Sequence, residues 1–303
     1  MSGKASTVLA ESWTKLQAPR TGDLRRDFTA EAAEFLGISH ADAMDRLATG
    51  GQRFHDQYVE TFGAGRTETD ADRLAQFYNQ SDAELFELLE WHAADPIHQR
   101  TLVLRDFALQ RPGRSYLDYG SGVGSDAVVF GSAGFSVTLA DISDLLLAFA
   151  AFRCRRRGFD VKTIDLKKDD LPKNAYDVIV CFDVLEHIPD PLPIVLRQRD
   201  ALRNDGLLAI HAPFGFDPDR PMHVVHRDVV TPRMRSLGFV PQNLVFPPGV
   251  WAPRIYEKAQ LPAHERAAYR VYDGYLQNRF GDGLAALYRQ LFRRSKTAAA
   301  TRA

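Results

Sequence analysis

YLDYGSGVG, from Tyr116 to Gly124, is the stretch whose reading decides the fold. A short apolar run, Ser115 to Leu117, ends on an acid, Asp118. Gly120, Gly122 and Gly124 follow at alternate positions, and the small-residue stretch SDAVVFGSAG comes next. Strand, glycine turn and helix in that order bring bare backbone against a ligand in an α/β sheet. A dinucleotide fingerprint puts its third glycine three places after the second. Here that place is Ser125, and the third glycine comes one residue early. A carboxylate at Asp118 would repel a diphosphate but suits a ligand carrying an ammonium group and no phosphate.

Bulk properties narrow the class. A chain of 303 residues allows one large or two modest domains. Hydrophobic residues make up 45% and charged residues 25%, ordinary for a soluble globular chain. A formal charge of −1 gives no global reason to expect nucleic acid or an anionic membrane as partner. The longest apolar run, Leu145 to Phe152, is far short of the ~20 residues of a membrane span. The start, MSGKASTVLAESW, lacks the apolar stretch of a signal peptide. Cys154 and Cys181 belong to no ligand pattern and read as buried small hydrophobes. The expected compartment is the cytoplasm.

Along the chain the period changes once. Residues 1–23 read as a flexible N-terminus. Residues 24–109 read as a helical cap without strands, with apolar residues such as Phe35, Leu36, Leu85, Phe86 and Leu89 at helical spacing. Gly50-Gly51 and Gly63-Ala64-Gly65 punctuate it. Ser39 and Ser81 read as N-caps, Ser81 with Glu84 as a capping box. Residues 110–260 alternate short apolar runs with helical stretches, the pattern of βαβ units and a parallel sheet. Strands are expected at 115–118, 136–140, 161–164, 177–182, 206–212, 239–246 and 252–257, the last two as an antiparallel hairpin at one edge. Helices are expected at 97–109, 125–133, 144–157, 192–202 and 228–236. Residues 261–303 read as a C-terminal helix and tail. The fold class is α/β, a seven-stranded mostly parallel sheet with a helical cap.

Ligands of open α/β sheets sit beyond the carboxyl ends of the strands. After the second strand stands Asp141, 23 positions past Asp118 and at the interval expected of a ribose-binding acid. It can accept both hydrogens of a 2′,3′-diol. The competing reading is a helix cap, a role Ser143 can fill. After the fourth strand comes CFDVLEHIPDP, from Cys181 to Pro191. Phe182 offers an aromatic face to a cation. His187 is either a general base or a satisfied core histidine. His211, His223 and His226 lie beyond the fifth strand, where His223 and His226 are expected to face a substrate. The H-x-x-H spacing, with Asp217 and Asp219 nearby, fixes no third ligand, so no metal is expected. Arg153, Arg155, Arg156 and Arg157, and near the C-terminus Arg289, Arg293 and Arg294, read as solvated helix ends.

D-x-G-x-G-x-G together with the VLEHIPDP segment resembles the class I S-adenosylmethionine (AdoMet) methyltransferases acting on small molecules. The resemblance is good from about Ser115 to Ala212 and weaker to about residue 257. It implies a Rossmann-like core and AdoMet as cofactor. Carried over, Asp118, Gly120 and Gly122 would hold the amino acid moiety, with Gly124 completing the turn. Asp141 and Ile142 would take the ribose and one face of adenine. Asp165 and Leu166 would take the adenine amine and ring, and Phe182 and Asp183 would lie under the sulfonium. N-terminal helices in this group often shape the acceptor site, which points to Tyr78 and Asn79 at a helix junction. Trp91 reads instead as a packing aromatic.

The expected function is methyl transfer to a small secondary-metabolite acceptor by in-line displacement. In such a reaction the protein mainly positions donor and nucleophile. The alternative is an AdoMet-consuming cyclase, in which the cofactor's own amine attacks Cγ to give azetidine-2-carboxylate and methylthioadenosine. A non-catalytic AdoMet-binding protein and an NAD-linked oxidoreductase are the other classes. Oligomeric state is not legible.

Overall fold

A computed structural model describes residues 2–63, 68–94, 99–215, 220–224, 227–247, 250–260, 262, 264, 265 and 267. Apart from His264, Glu265 and Ala267, which are helical, the expected C-terminal helix lies outside the described residues, as do its arginines and His226, Asp217 and Asp219. The chain divides into two compact units, residues 1–228 with 241–258, and residues 229–240 with 259–303. Among the described residues no helix is long and apolar enough to cross a membrane.

Seven strands form one sheet: β1 Ser115–Tyr119, β2 Ser136–Asp141, β3 Lys162–Asp165, β4 Tyr176–Phe182, β5 Leu202–His211, β6 Phe239–Gln242 and β7 Arg254–Lys258. Their order is β3-β2-β1-β4-β5-β7-β6. β1 pairs in parallel with β2 and β4, β2 with β3, and β4 with β5, whereas β7 runs antiparallel to β5. The order reverses at β1, so β1 and β4 open a crevice at their carboxyl ends, where the glycine turn stands. β1 and β4 are buried almost throughout because helices cover both faces of a parallel sheet. β6 stops at Gln242, short of the expected Phe246. Pro241 supplies no ladder N–H there.

The helices are α1 Ser2–Gln17, α2 Leu24–Leu36, α3 His40–Phe62, α4 Ala71–Phe77, α5 Ala83–Ala94, α6 Arg100–Leu109, α7 Ser125–Ser132, α8 Asp144–Arg156 and α9 Pro191–Ala201. Ser39 caps α3 by accepting from the Asp42 N–H, as its type requires. The helix expected at 228–236 is only a 3₁₀ turn, Thr231–Arg233. Pro232 biases its predecessor away from α conformation, and β-branched residues precede it.

Three further expectations are corrected. The N-terminus is helix α1, anchored by Trp13 against Leu102 and Val129. Gly50 does not break the cap; it lies inside α3. A Cβ there would sit 2.6 Å from the Glu87 backbone nitrogen, so glycine is what lets α3 cross α5. Of the arginines ending α8, Arg155 is exposed as expected, but Arg153 and Arg157 are not a solvated face. Arg153 is wholly buried, donating to Glu31, Gln17, Ser125 and the Val123 carbonyl. Arg157 donates to the Leu16 and Gln17 carbonyls and pairs with Glu31 at 2.8 Å. It thereby satisfies carbonyls at the end of α1 that have no helical partner.

The cap and the sheet share one apolar seam. Phe28, Ala32, Leu47, Phe86 and Leu89 pack with Leu146 and Phe149 of α8, and Phe35 meets Phe149 edge to face at 5.2 Å. Each fully buried large apolar side chain contributes ~1.5–3 kcal/mol. This seam holds α5 over the crevice.

Candidate active site

A cavity of about 460 Å³ lies between the strand ends and the cap. Its floor is the glycine turn. Gly120 and Gly124 have φ +71° and +73°, in the left-handed region that favours glycine. The two do different work. At Gly120 a Cβ would meet Val184 Cγ2 at 2.3 Å, on the floor itself. At Gly124 it would meet Ala150 of α8 at 2.7 Å, and Gly124 is not in the lining. Gly124 lets α7 pack on α8, so it moves out of the expected ligand set.

Asp118 is 3% exposed, lines the cavity and accepts from the Ala127 N–H at 3.0 Å. Burial, and then the neighbouring Asp126, push its pKa well above the usual carboxylate range. Burial raises Asp126 as well. Asp141 accepts from the Gly122 and Ser143 N–H groups, both at 2.9 Å, one on each oxygen. A carboxylate has about four acceptor positions, so two are left over. Ser143 takes the capping role, accepting from the Leu146 N–H. Ile142 and Leu166 line the cavity beside Asp141. Asp165 does not. Its carboxylate is held by Lys168 and Lys167, which lower its pKa to about 2 at the surface.

Phe182 lines the cavity, but the cation on its ring is a protein group. The Arg100 Cζ lies 4.1 Å from the ring centre. Arg100 is 1% exposed and pairs with Asp183, while its Nε and Nη1 have no hydrogen-bond partner. Asp183 also accepts from His211 Nδ1 at 2.6 Å, and its N–H donates to the His211 carbonyl. Burial would raise Asp183, but Arg100 and then His211 outweigh it and hold the carboxyl ionised.

The cap supplies the opposite wall. Tyr78 lines it, next to α5. Asn79 does not line it; its amide donates to the Ala75 and Ile142 carbonyls and its oxygen accepts from the Asp144 N–H. Asn79 thus ties the cap to the loop after β2, and all its bonds are to backbone. Glu84 forms no capping box with Ser81, whose hydroxyl accepts from Ala83 and donates to Gln57. Instead Glu84, Glu87, Leu88 and Trp91 face the cavity at positions i, i+3, i+4 and i+7. Trp91, expected to be a packing aromatic, is therefore part of the lining. His187 Nδ1 donates to the Met222 carbonyl at 3.2 Å, which leaves Nε2 with its lone pair, 4.0 Å from Glu186. His223 stands edge to face with His187 at 4.9 Å.

Sequence reasoning missed Arg100, Asp126, Glu84, Glu87 and Glu186. The α5 stripe was legible in principle as a second face of AELFELLEWHAA, opposite Leu85, Phe86 and Leu89. Arg100 carried no such signal, since nothing local says that a cation opening α6 is buried.

Residues 78–238 match the methyltransferase domain family. A ubiquinone biosynthesis O-methyltransferase of Actinobacillus pleuropneumoniae is 30% identical over 124 residues, 37% of this chain and 53% of that protein. The Xanthomonas campestris protein of the same name is 28% identical over 143 residues, 43% of this chain and 60% of that one. The chain spans about half the length of the curated relatives it matches. Among solved structures, magnesium protoporphyrin IX methyltransferase from Synechocystis PCC 6803 aligns with TM-score 0.47 and 17% identity, over 62% of this chain and 98% of that one. The chain belongs to the methyltransferase domain family.

Proposed function

We propose that the chain is an AdoMet-dependent methyltransferase whose acceptor is a small molecule held between the strand ends and the cap. One observation carries this reading. A buried arginine with two unpaired nitrogens, Arg100, stands in the same cavity as a buried carboxyl, Asp118, and a half-buried one, Asp126. That pairing matches the two ends of an amino acid zwitterion: Arg100 for the carboxylate, Asp118 and Asp126 for the ammonium. The spare acceptor positions of Asp141 suit a ribose diol, and Ile142 with Leu166 suits the faces of a purine.

When bound, AdoMet supplies a methyl group on a sulfonium, with a neutral thioether as leaving group. The chain's own work is positional. Gly120 and Gly122 let the cofactor approach backbone, and the cap excludes water and holds the acceptor in line. His187 is the group placed to take the acceptor's proton, through Nε2. Burial, and then His223, lower its pKa to about 4, so it is neutral at pH 7. The acidic limb of kcat/KM is therefore expected near pH 4 rather than near 6.5, the ordinary histidine value. A pH profile checks this. His187→Ala should lower kcat by ~10²-fold and abolish that limb. A limb near 6.5 that survives the substitution would assign the base elsewhere.

Calorimetric titration with AdoMet and with NADH tests the cofactor. AdoMet binding without NADH binding is the expected result, and the reverse would overturn the reading. Incubation with AdoMet alone separates methyl transfer from ring closure. Methylthioadenosine formed without acceptor would establish the cyclase instead.

A further inference from the structure

Besides Asp118, Asp126, Asp141 and Asp183, the cavity is lined by three further acids, Glu84, Glu87 and Glu186. Glu186 is 1% exposed and lines the cavity, and its Oε2 has no hydrogen-bond partner. Glu84 Oε2 is also buried without a partner, and Glu87 stands one turn along the same face of α5. After burial, all three act electrostatically to raise the pKa of Tyr78, which lines the same cavity. A glutamate on an exposed helix normally points to water. These two point inward because Leu85, Phe86 and Leu89 fill the opposite face of α5 with the apolar seam. Burial comes first in raising all three acids, Glu87 to about 7 even against the opposing pull of Arg220. Asp141 adds to the rise of Glu84 and Asp183 to that of Glu186, which Arg100 and Arg220 oppose, and His55, His187 and His223 line the same cavity. Arg100 is paired with Asp183. Unpaired buried carboxyls are costly, and a cationic ligand removes that cost.

We propose that the acceptor carries a basic nitrogen, lodged as an ammonium among Glu84, Glu87 and Glu186 beside Tyr78. Leu88, Trp91 and Phe54 give the neighbouring wall an apolar and aromatic surface for the rest of the molecule. The proposal names the acceptor class of the site and rests on the methyltransferase reading above. The nitrogen is a recognition handle. Glu84 and Glu87 are specificity-determining residues, and an alcohol or carboxylate in the same place would leave the acids unpaired or repelled.

The test uses the full chain saturated with S-adenosylhomocysteine. Matched trios are titrated calorimetrically at pH 7.5: tyramine, tyrosol and 4-hydroxyphenylacetate, then tryptamine, tryptophol and indole-3-acetate. The amine is expected to bind at least about tenfold tighter than its alcohol in one trio or both, the acid weaker still. Glu87→Gln and Glu84→Gln should each remove about tenfold of amine affinity while leaving the alcohol and S-adenosylhomocysteine within about twofold. If one variant does not fold, the other carries the comparison. Alcohols or acids binding as tightly as amines, or no amine binding at all, overturns the proposal, as does an amine preference that both variants leave intact. Amine binding that requires added Mn²⁺ and vanishes with EDTA would give the acids to a metal with His187 and His223, which also overturns it. Failure of S-adenosylhomocysteine itself to bind would instead strike the methyltransferase reading.

Discussion

Arg153→Met is expected to lower the melting temperature by roughly 10 °C, about 3 kcal/mol at ~2–4 °C per kcal/mol for a domain of this size. Arg153 is wholly buried in α8 and joins four elements. It donates to Gln17 of α1, Glu31 of α2, the Val123 carbonyl and the Ser125 hydroxyl at the start of α7. Its guanidinium also lies 4.6 Å from the Phe28 ring centre. Methionine fills similar volume but leaves those acceptors unpaired in the interior. The cost stays near the lower end of the usual ~3–5 kcal/mol for breaking a buried pair, because Arg157 still reaches Glu31 at 2.8 Å. Thermal unfolding followed by circular dichroism measures it. A shift below about 2 °C would mean that the network is not a structural joint. The same change should weaken S-adenosylhomocysteine, since Ser125 and Val123 belong to the turn that frames the cofactor site.

Asp141→Ala is expected to weaken S-adenosylhomocysteine binding by ~10²-fold or more. Two hydrogen bonds from a diol to a carboxylate are worth ~1.5–3 kcal/mol each. A second loss accompanies the first, because Asp141 also orders the turn through the Gly122 N–H and the helix start through the Ser143 N–H. Asp165→Ala is the matched control. Asp165 stands opposite Asp141 in the sheet register, one strand over, yet its carboxylate is turned to Lys167 and Lys168. It should change affinity by less than about twofold, in line with exposed ion pairs. Calorimetric titration of both variants decides the matter. Unchanged binding in Asp141→Ala would remove the ribose assignment, and a large loss in Asp165→Ala would restore the adenine role expected of it.

The contrast between those two acids shows what a sequence can carry. Strand-end position made Asp141 and Asp165 look alike, since both follow a short apolar run. The distinction lies in which lysines fold back, and β3 is only four residues long and half-exposed. Gly120 and Gly124 looked alike for the same reason. Only the approach of Val184 to one and of Ala150 to the other separates floor from helix packing.

Period and local chemistry, which act over a few residues, were enough for the βαβ core, the glycine turn, the strand-end placement of Asp118 and Asp141, and the caps at Ser39 and Ser143. Those features depend on backbone conformation and on neighbours within one turn. Tertiary structure alone decided the rest: that α1 is a docked helix, that Arg153 is buried, that Gly50 sits at a helix crossing, and that Arg100, Glu84, Glu87 and Glu186 converge on one cavity. The physical reason is common to all of them. Burial of a charge and the close approach of two helices are set by partners dozens of residues away, such as Glu31 for Arg153, Asp183 for Arg100 and Glu87 for Gly50. No local pattern in the chain records who those partners are.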